Sequence, residues 1–167
     1  MHYVIGVGSN LGDAPASVRR AMHDVEEGLE AIDARRSSLY RTSPVGGPEQ
    51  PDFVNAVLVL ESEMAPAAAL EVMQGIEQRA GRVRDVRWGP RTLDLDIVAV
   101  GDASDYVVSE DPVLTLPHPR AHERAFVLIP WREIEPEASL PGVGPIAAVI
   151  EAGFDDQDIE VLVEEGT

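Results

Sequence analysis

The segment RWGPRTLDLDI, residues 87–97, places two aspartates two positions apart in an otherwise apolar run. Alternate side chains of a β-strand share a face, so Asp94 and Asp96 are expected on one side of a strand. Two neighbouring carboxylates in a half-buried place repel each other and lose hydration. A Mg²⁺ ion relieves both costs, because it prefers a couple of carboxylates together with water and phosphate oxygens. The spacing predicts a metal–phosphate site; ion pairs with arginine or exposure to solvent are the alternatives.

Positive charge is concentrated just before the two aspartates. The formal net charge of the chain is −17, and all 13 of its basic residues are Arg. Residues 79–91 contain five of them, with Asp85 as the one acid: Arg79, Arg82, Arg84, Arg87 and Arg91. Because Arg binds phosphate oxygens through its forked guanidinium, this segment is interpreted as an anion site rather than as a solvated charged face. The overall negative charge disfavours nonspecific binding to nucleic acid or to anionic membranes.

A second candidate group lies on the strongest predicted strand, residues 53–62. Phe53 and Asn55 share one of its faces by strand spacing. An aromatic ring beside a carboxamide suits a flat heterocycle, since Asn offers both a donor and an acceptor. The alternative is that Phe53 belongs to the core and that Asn55 satisfies the backbone of a loop.

Hydrophobic periodicity predicts the elements that position these residues. Strands are expected at 2–8, 37–43, 53–62 and 92–100. One helix, with Val18, Met22, Val25, Leu29 and Ile32 on its apolar face, follows the first strand. Another, from Pro66 to Gly81, follows the third. Leu70, Gln74 and Glu77 share a face of that second helix, which by itself indicates a solvent-facing side.

The order strand, helix, strand, strand, helix, strand predicts an α+β, ferredoxin-like fold, an antiparallel sheet with helices on one side of it. A short helical turn near 120–125, the apolar segment 125–131 and a short helix at 145–152 are expected as C-terminal additions. A single domain of 167 residues is expected. Residues 151–167 hold seven acids and no base, and are expected to be a solvated acidic tail or an adaptation to high salt.

Several motifs are incomplete, which argues against a dinucleotide-binding fold and against a zinc site. Gly6 and Gly8 do not form a dinucleotide fingerprint, because Leu11 stands where a third Gly is needed, and we expect them in a tight turn after the first strand. His118 and His122 have helical spacing, but Pro119 places His118 outside a helix, so no zinc site is predicted.

The composition excludes further classes. Without Lys there is no Walker A loop, and without Cys there are no disulfides or thiolate metal sites. No apolar run approaches 18 residues and no signal peptide is recognisable, so a cytoplasmic protein is expected.

Four segments together carry a family resemblance: GSNLGD (8–13), YRTSPVGGPEQPDFVNAV (40–57), RWGPRTLDLDI (87–97) and PHPRAHERAFVL (117–128). They resemble the 6-hydroxymethyl-7,8-dihydropterin pyrophosphokinases of folate biosynthesis, over about residues 1–150. The resemblance implies a ferredoxin-like fold, two Mg²⁺ ions and ATP as co-substrate. It implies transfer of the terminal pyrophosphate of ATP to the hydroxymethyl oxygen of a reduced pterin, with AMP leaving.

The resemblance also assigns roles to residues. Asp94 and Asp96 match the metal-binding aspartates, and Arg82 and Arg91 match arginines that meet the phosphates and complete the catalytic set. The implied ATP site comprises Leu70, Gln74, Glu77, Arg82, Arg84, Arg91, Ile97, Thr115, His118 and Arg124. The implied pterin site comprises Thr42, Pro44, Val45, Phe53, Asn55, Trp88 and Phe126, with Phe53 and Phe126 on either side of the heterocycle. The proton acceptor stays open between Asp96 and the solvent, reached through a metal-bound water.

The sequence departs from the family pattern at three positions. Asp85 stands where some members have Lys, Val113 where some have a basic residue, and Pro119 where some have an aromatic residue. These changes are expected to affect affinity more than reaction type. The other readings are a nucleotidyltransferase that releases pyrophosphate, an inactive pterin or nucleotide sensor, and an interaction module. Expected partners are the small-molecule substrates, without nucleic acid or membrane, and the oligomeric state stays open.

Overall fold

The chain forms an antiparallel sheet with helices on both faces, in a computed structural model that describes residues 1–10, 12–43, 51–80, 93–102, 105–154 and 157–162. The strands are β1 (His2–Ser9), β2 (Asp33–Arg36), β3 (Tyr40–Thr42), β4 (Phe53–Glu61), β5 (Asp94–Asp102), β6 (Asp105–Tyr106), β7 (Ser139–Leu140), β8 (Gly144–Pro145) and β9 (Ile159–Val161). The helices are α1 (Ala14–Gly28), α2 (Pro66–Arg79), α3 (Ala125–Ile134) and α4 (Ile146–Ala152), with a 3-10 turn at Ala121–Glu123.

The strand order brings the two candidate groups to one place. Within the described residues, the main sheet runs β6–β5–β1–β4–β3–β9, with β2 also pairing with β4 and β7–β8 forming a separate hairpin. Gly8 of the central strand β1 lies opposite Asn55 of β4 on one side and opposite Asp94 of β5 on the other. Directly opposite residues share a face. The carboxylates and the Phe53–Asn55 group therefore lie on the same face, separated by β1.

Two apolar layers hold the sheet between helices. α1 and α2 cover the face that carries Tyr3 and Ile5 of β1. α3 covers the other face, where Leu128 and Trp131 pack against Val4. The ferredoxin-like order β1–α1–β3–β4–α2–β5 is as predicted, with β2 as an additional strand, but the helices lie on both sides of the sheet. The physical reason is that β1 is apolar on both faces, so each face requires a cover.

Some element boundaries differ from the expectation. Four of the five residues predicted on the apolar face of α1 are buried: Val18, Met22, Val25 and Leu29. The helix ends at Gly28, so Ile32 lies beyond it and is 71% exposed. β2 was not predicted, because DARR carries a single apolar residue. The acidic tail is not wholly solvated, since β9 pairs with β3. Within the described ranges, no helix combines the length and the apolar character needed to cross a bilayer.

A charged cluster around the buried ring of His2 ties β1, β4 and the end of α3 together, at the opposite end of β1 from Gly8. The ring of His2 is 4% exposed, with Nδ1 2.5 Å from Oε1 of Glu61 and Nε2 3.0 Å from Oε2 of Glu135. Glu135 also accepts hydrogen bonds from the Trp131 indole (2.8 Å) and the Tyr106 hydroxyl (3.0 Å). Contact with Glu135 raises the pKa of His2 against the effect of burial. Burial alone would raise the pKa of Glu135, but contacts with His2 and Trp131 outweigh it and lower the pKa to about 2.

This cluster predicts a pH dependence of stability. The raised pKa of His2 contributes stability that is fully present below its ordinary value of 6.5 and is lost as the pH rises through the folded pKa. The lowered pKa of Glu135 contributes stability that is present above 4.5 and is lost as the pH falls towards 2. The two contributions coincide between pH 4.5 and 6.5.

Thermal unfolding of His2→Gln checks this prediction. At pH 6 its Tm should be lower than that of the unmodified protein by roughly 5–10 °C, because Glu135 loses its buried cation. Its Tm should also fall less between about pH 6.5 and 9. The matched control is His23→Gln, since His23 is an exposed residue of α1. Parallel Tm curves for His2→Gln and the unmodified protein above pH 6.5 would contradict the role of the cluster.

Candidate active site

The carboxylate pair, Asp94 and Asp96, lies at the start of β5 on the face that α3 covers, and both side chains are partly exposed. Gly8 is opposite Asp94 and Gly6 is opposite Asp96. Because glycine has no side chain, β1 provides a bare floor beside the carboxylates. Both glycines lie inside a strand that is paired on its two sides, so the expected tight turn is wrong. Their spacing of two is the signal that points to a strand face.

Asn55 borders this floor on the β4 side. Its side chain is 7% exposed, and its Nδ2 donates a hydrogen bond of 2.7 Å to Oγ1 of Thr42 on β3. A β-carbon added to Gly8 would lie 2.5 Å from Oδ1 of Asn55, so the carboxamide occupies the space that the missing side chain leaves. Phe53 lies half-buried at the start of the same strand, opposite Thr42. The structure thus brings together three residues of the predicted pterin group.

The start of α3 brings a charge and a ring to the same face. Arg124 directly precedes the helix, and its Nη1 lies 3.8 Å from Oδ2 of Asp96. Its guanidinium carbon lies 5.5 Å from the centre of the Phe126 ring, which is half-buried against the core under α3. Arg124 therefore lies between the carboxylate pair and an aromatic ring.

His118 lies beside β5, because its backbone N–H donates to the carbonyl of Val98 over 2.8 Å. Burial lowers its pKa to about 4, and the charge of Arg124 adds to this effect while Asp94 opposes it. Its Nδ1 accepts the backbone N–H of Arg120 over 3.2 Å. The imidazole is therefore neutral at neutral pH, with Nε2 left as a donor.

The residues assigned to ATP on α2 occupy the other face of the sheet. Glu77 is 4% exposed, and its Oε2 accepts the backbone N–H of Leu95, between the two aspartates, over 3.0 Å. The expectation of a solvent-facing Glu77 is wrong, because the start of β5 needs an acceptor there; Gln74 is exposed as predicted. Leu70 and Ile97 pack into the core on the α2 side. The structure does not bring these residues to the face of the carboxylate pair.

The remaining predicted residues divide into two groups. Thr115 is half-buried in the segment before His118, and its hydroxyl donates to the backbone carbonyl of Asp111 over 3.0 Å. Six predicted residues lie outside the described residues: Pro44, Val45, Arg82, Arg84, Trp88 and Arg91.

The carboxylate pair fits a hard divalent cation by its chemistry. Both side chains offer oxygen ligands on one partly exposed face, which is the donor set that Mg²⁺ prefers. In the part of the chain that the structure describes, no cluster of three or more His, Cys, Asp or Glu could hold a metal. Two carboxylates suffice as protein ligands for Mg²⁺, which commonly completes its shell with water and substrate oxygens.

One buried polar residue at the end of β1 was not singled out by reasoning from the sequence. Asn10 directly follows β1, is 3% exposed, and donates from Nδ2 to the carbonyl of Pro51 over 3.0 Å. This bond holds the end of β1 to the residues that lead into β4. No spacing rule singles out Asn10, because its partner is a backbone atom 41 positions away.

Comparisons with known proteins agree on one family. The family described as 7,8-dihydro-6-hydroxymethylpterin-pyrophosphokinase has a model that matches residues 4–136. The chain is 44% identical over 147 residues to the 2-amino-4-hydroxy-6-hydroxymethyldihydropteridine pyrophosphokinase of Mycobacterium tuberculosis, covering 84% of this chain and 76% of that protein. It is 40% identical over 137 residues to the protein of that name from Pseudomonas aeruginosa, covering 82% of each.

Solved structures support the fold. A crystal structure of HPPK-DHPS in complex with substrates superimposes with a TM-score of 0.66 at 13% identity. Plasmodium falciparum HPPK-DHPS A437G with STZ-DHP gives a TM-score of 0.65 at 11% identity. Each match covers 90% of this chain, which spans 43% and 45% of the length of those chains, so the likeness concerns the fold of one part of them.

Proposed function

The chain belongs to the 7,8-dihydro-6-hydroxymethylpterin-pyrophosphokinase family, and we propose that it transfers pyrophosphate from ATP to the hydroxymethyl group of 6-hydroxymethyl-7,8-dihydropterin, releasing AMP in folate biosynthesis. One observation supports this proposal above the others. The register of the sheet sets a carboxylate pair and an oriented carboxamide on one face, with Gly8 between them. A phosphate-binding group (Asp94 and Asp96) and a ring-binding group (Phe53 and Asn55), separated by a single strand, suit a reaction between a nucleotide and a heterocycle.

In the ring-binding group, Asn55 is proposed to recognise the edge of the pterin. Its bond to Thr42 holds the carboxamide in one orientation, so that Oδ1 and the second N–H of Nδ2 are left for a ligand. Phe53 and Phe126 would contact the two faces of the ring, since both are half-buried on this side of the sheet. Pro44, Val45 and Trp88 are proposed for the same pocket.

In the phosphate-binding group, Asp94 and Asp96 are proposed to hold Mg²⁺, with two ions expected. When bound, Mg²⁺ supplies positive charge that neutralises the phosphate oxygens of ATP. Arg124 lies near enough to Asp96 to reach the same phosphates. Arg82, Arg84 and Arg91 are proposed to contribute further charge to the transferred group. Leu70, Gln74, Glu77, Ile97, Thr115 and His118 remain proposals for the nucleotide site.

The proposed reaction forms a bond between the hydroxymethyl oxygen and the β-phosphorus, and breaks the bond from that phosphorus to the oxygen that leaves with AMP. The hydroxyl proton goes to Asp96 or to solvent. Catalysis then consists chiefly of orientation and charge stabilisation, because the chain needs to form no covalent bond to either substrate. The substrates are the proposed partners, the cytoplasm is the proposed location, and a net charge of −17 argues against nucleic acid and anionic membranes.

A product assay tests this proposal. Purified protein is mixed with Mg²⁺, ATP and 6-hydroxymethyl-7,8-dihydropterin, and the released nucleotide and phosphates are identified. We expect AMP only when the pterin is present, together with a pyrophosphorylated pterin. Release of pyrophosphate with a nucleotidylated product would instead assign a nucleotidyltransferase. Saturable pterin binding without turnover would assign an inactive sensor.

A further inference from the structure

The C-terminal segment 157–162 caps the start of α3. Oε1 of Gln157 accepts the backbone N–H of Ala125 over 3.0 Å, and its Nε2 donates to the carbonyl of Glu123 over 2.9 Å. The first N–H groups of a helix lack partners within the helix. At α3 no side chain at the capping position itself makes this bond, so Gln157 provides it from 32 residues away. These two bonds bracket Arg124 and fix the turn that leads to Phe126.

The same segment is joined to the opposite wall of the proposed pterin pocket. β9 pairs with β3 in a register that sets Ile159 opposite Thr42 and Glu160 opposite Arg41. The Arg41 guanidinium lies 3.0 Å from Oε1 of Glu160, which adds an exposed ion pair to the backbone bonds. Thr42 in turn accepts the hydrogen bond that orients Asn55. The segment 157–162 thus connects the strand behind Asn55 to the turn before Phe126.

We infer that Gln157 is a positioning residue for the pterin pocket, which rests on the function proposed above. It acts through Ala125 and Glu123 to hold the Phe126 ring at a fixed place relative to β3 and β4. The residue lies beyond the family match at 4–136, so the match itself assigns it no role. The rest of α3 has separate anchors, because Leu128 and Trp131 are fully buried. Loss of Gln157 should therefore loosen the first turn of α3 without unfolding the helix.

The test compares Gln157→Leu with Gln78→Leu, a matched change at an exposed glutamine near the end of α2. For Gln157→Leu we expect the KM for the pterin to rise about three- to tenfold, as the loss of one or two hydrogen bonds predicts. The KM for ATP should rise less than the KM for the pterin, because Arg124 is only one of several charges proposed for the phosphates and both hydrogen bonds of Gln157 end on the turn before α3. Gln157→Asn keeps the carboxamide on a shorter chain and should give an intermediate KM.

Three results would overturn the inference. One is that Gln157→Leu and Gln78→Leu have the same KM for the pterin. If the unmodified protein releases AMP, this result would leave the proposed function standing. A second is an equal rise in both KM values for Gln157→Leu and Gln157→Asn, which would assign a general structural role. A third is a Tm of Gln157→Leu and Gln157→Asn so low that both variants are partly unfolded at the assay temperature, which would by itself explain their loss of activity. If the unmodified protein releases no AMP in the presence of the pterin, the proposed function itself fails.

Discussion

Replacing Asp96 with Asn is expected to lower kcat by about a thousandfold or more. Asn keeps the size of the side chain but removes one of the two charges that would hold the metal beside the phosphates. Stabilisation of transition-state charge by a metal ion is worth several kcal/mol, and each 1.36 kcal/mol corresponds to a factor of ten in rate. AMP release under saturating ATP and pterin measures the effect.

The stability of the same variant should move the other way. Asp94 and Asp96 are like charges on one face of β5, so removal of one relieves repulsion. One contact that is lost, the ion pair with Arg124 at 3.8 Å, is partly exposed and weak. We expect a Tm equal to or slightly above that of the unmodified protein, which separates loss of chemistry from loss of folding.

Asp33→Asn is the matched control for this substitution. Asp33 is exposed on β2 of the same sheet, so the change removes the same charge away from the site. Its kcat should stay within about twofold of the unmodified value, as for a surface change without a specific contact. An Asp96→Asn variant that retained a tenth of the unmodified kcat would contradict a metal role for the carboxylate pair.

The sequence predicted the parts of the fold that depend on a repeating pattern. The alternation around Asp94 and Asp96 placed both carboxylates on one face of β5, and the apolar spacing of α1 located its buried side. The apolar segment that begins at Ala125 carried no such information about side. It covers the second face of the sheet because of the apolar residues of β1 that it meets. A pattern within one element does not specify which partner buries it.

In the candidate site too, relations within one strand could be predicted from the sequence, whereas contacts between distant segments could not. Phe53 and Asn55 were predicted together because a strand spacing joins them. The Gly8 floor depends on register across three strands, and the Gln157 cap on a contact over 32 residues. Glu77 was misjudged for the same reason, because the backbone donor that buries it belongs to β5. Contacts of this kind arise from tertiary packing and leave no spacing in the sequence.

Gly8→Ala is expected to reduce kcat/KM for the pterin about ten- to a hundredfold. The added β-carbon would lie 2.5 Å from Oδ1 of Asn55, closer than any real contact of this type, so the carboxamide must move. That movement breaks its bond to Thr42 and leaves a buried donor without a partner, at a cost of about 1–3 kcal/mol. Steady-state kinetics with varied pterin measures the loss.

Gly6→Ala is the matched control, two positions earlier on the same strand face. Its β-carbon would meet Cγ2 of Val98 at 3.6 Å, which is an ordinary contact. Replacing a strand glycine with alanine there should raise stability by about 0.5–1 kcal/mol, through the lower entropy of the unfolded chain. The control therefore gains stability with a smaller loss of kcat/KM, while Gly8→Ala loses pterin recognition. Equal kcat/KM for the two variants would mean that the carboxamide of Asn55 does not bind the pterin.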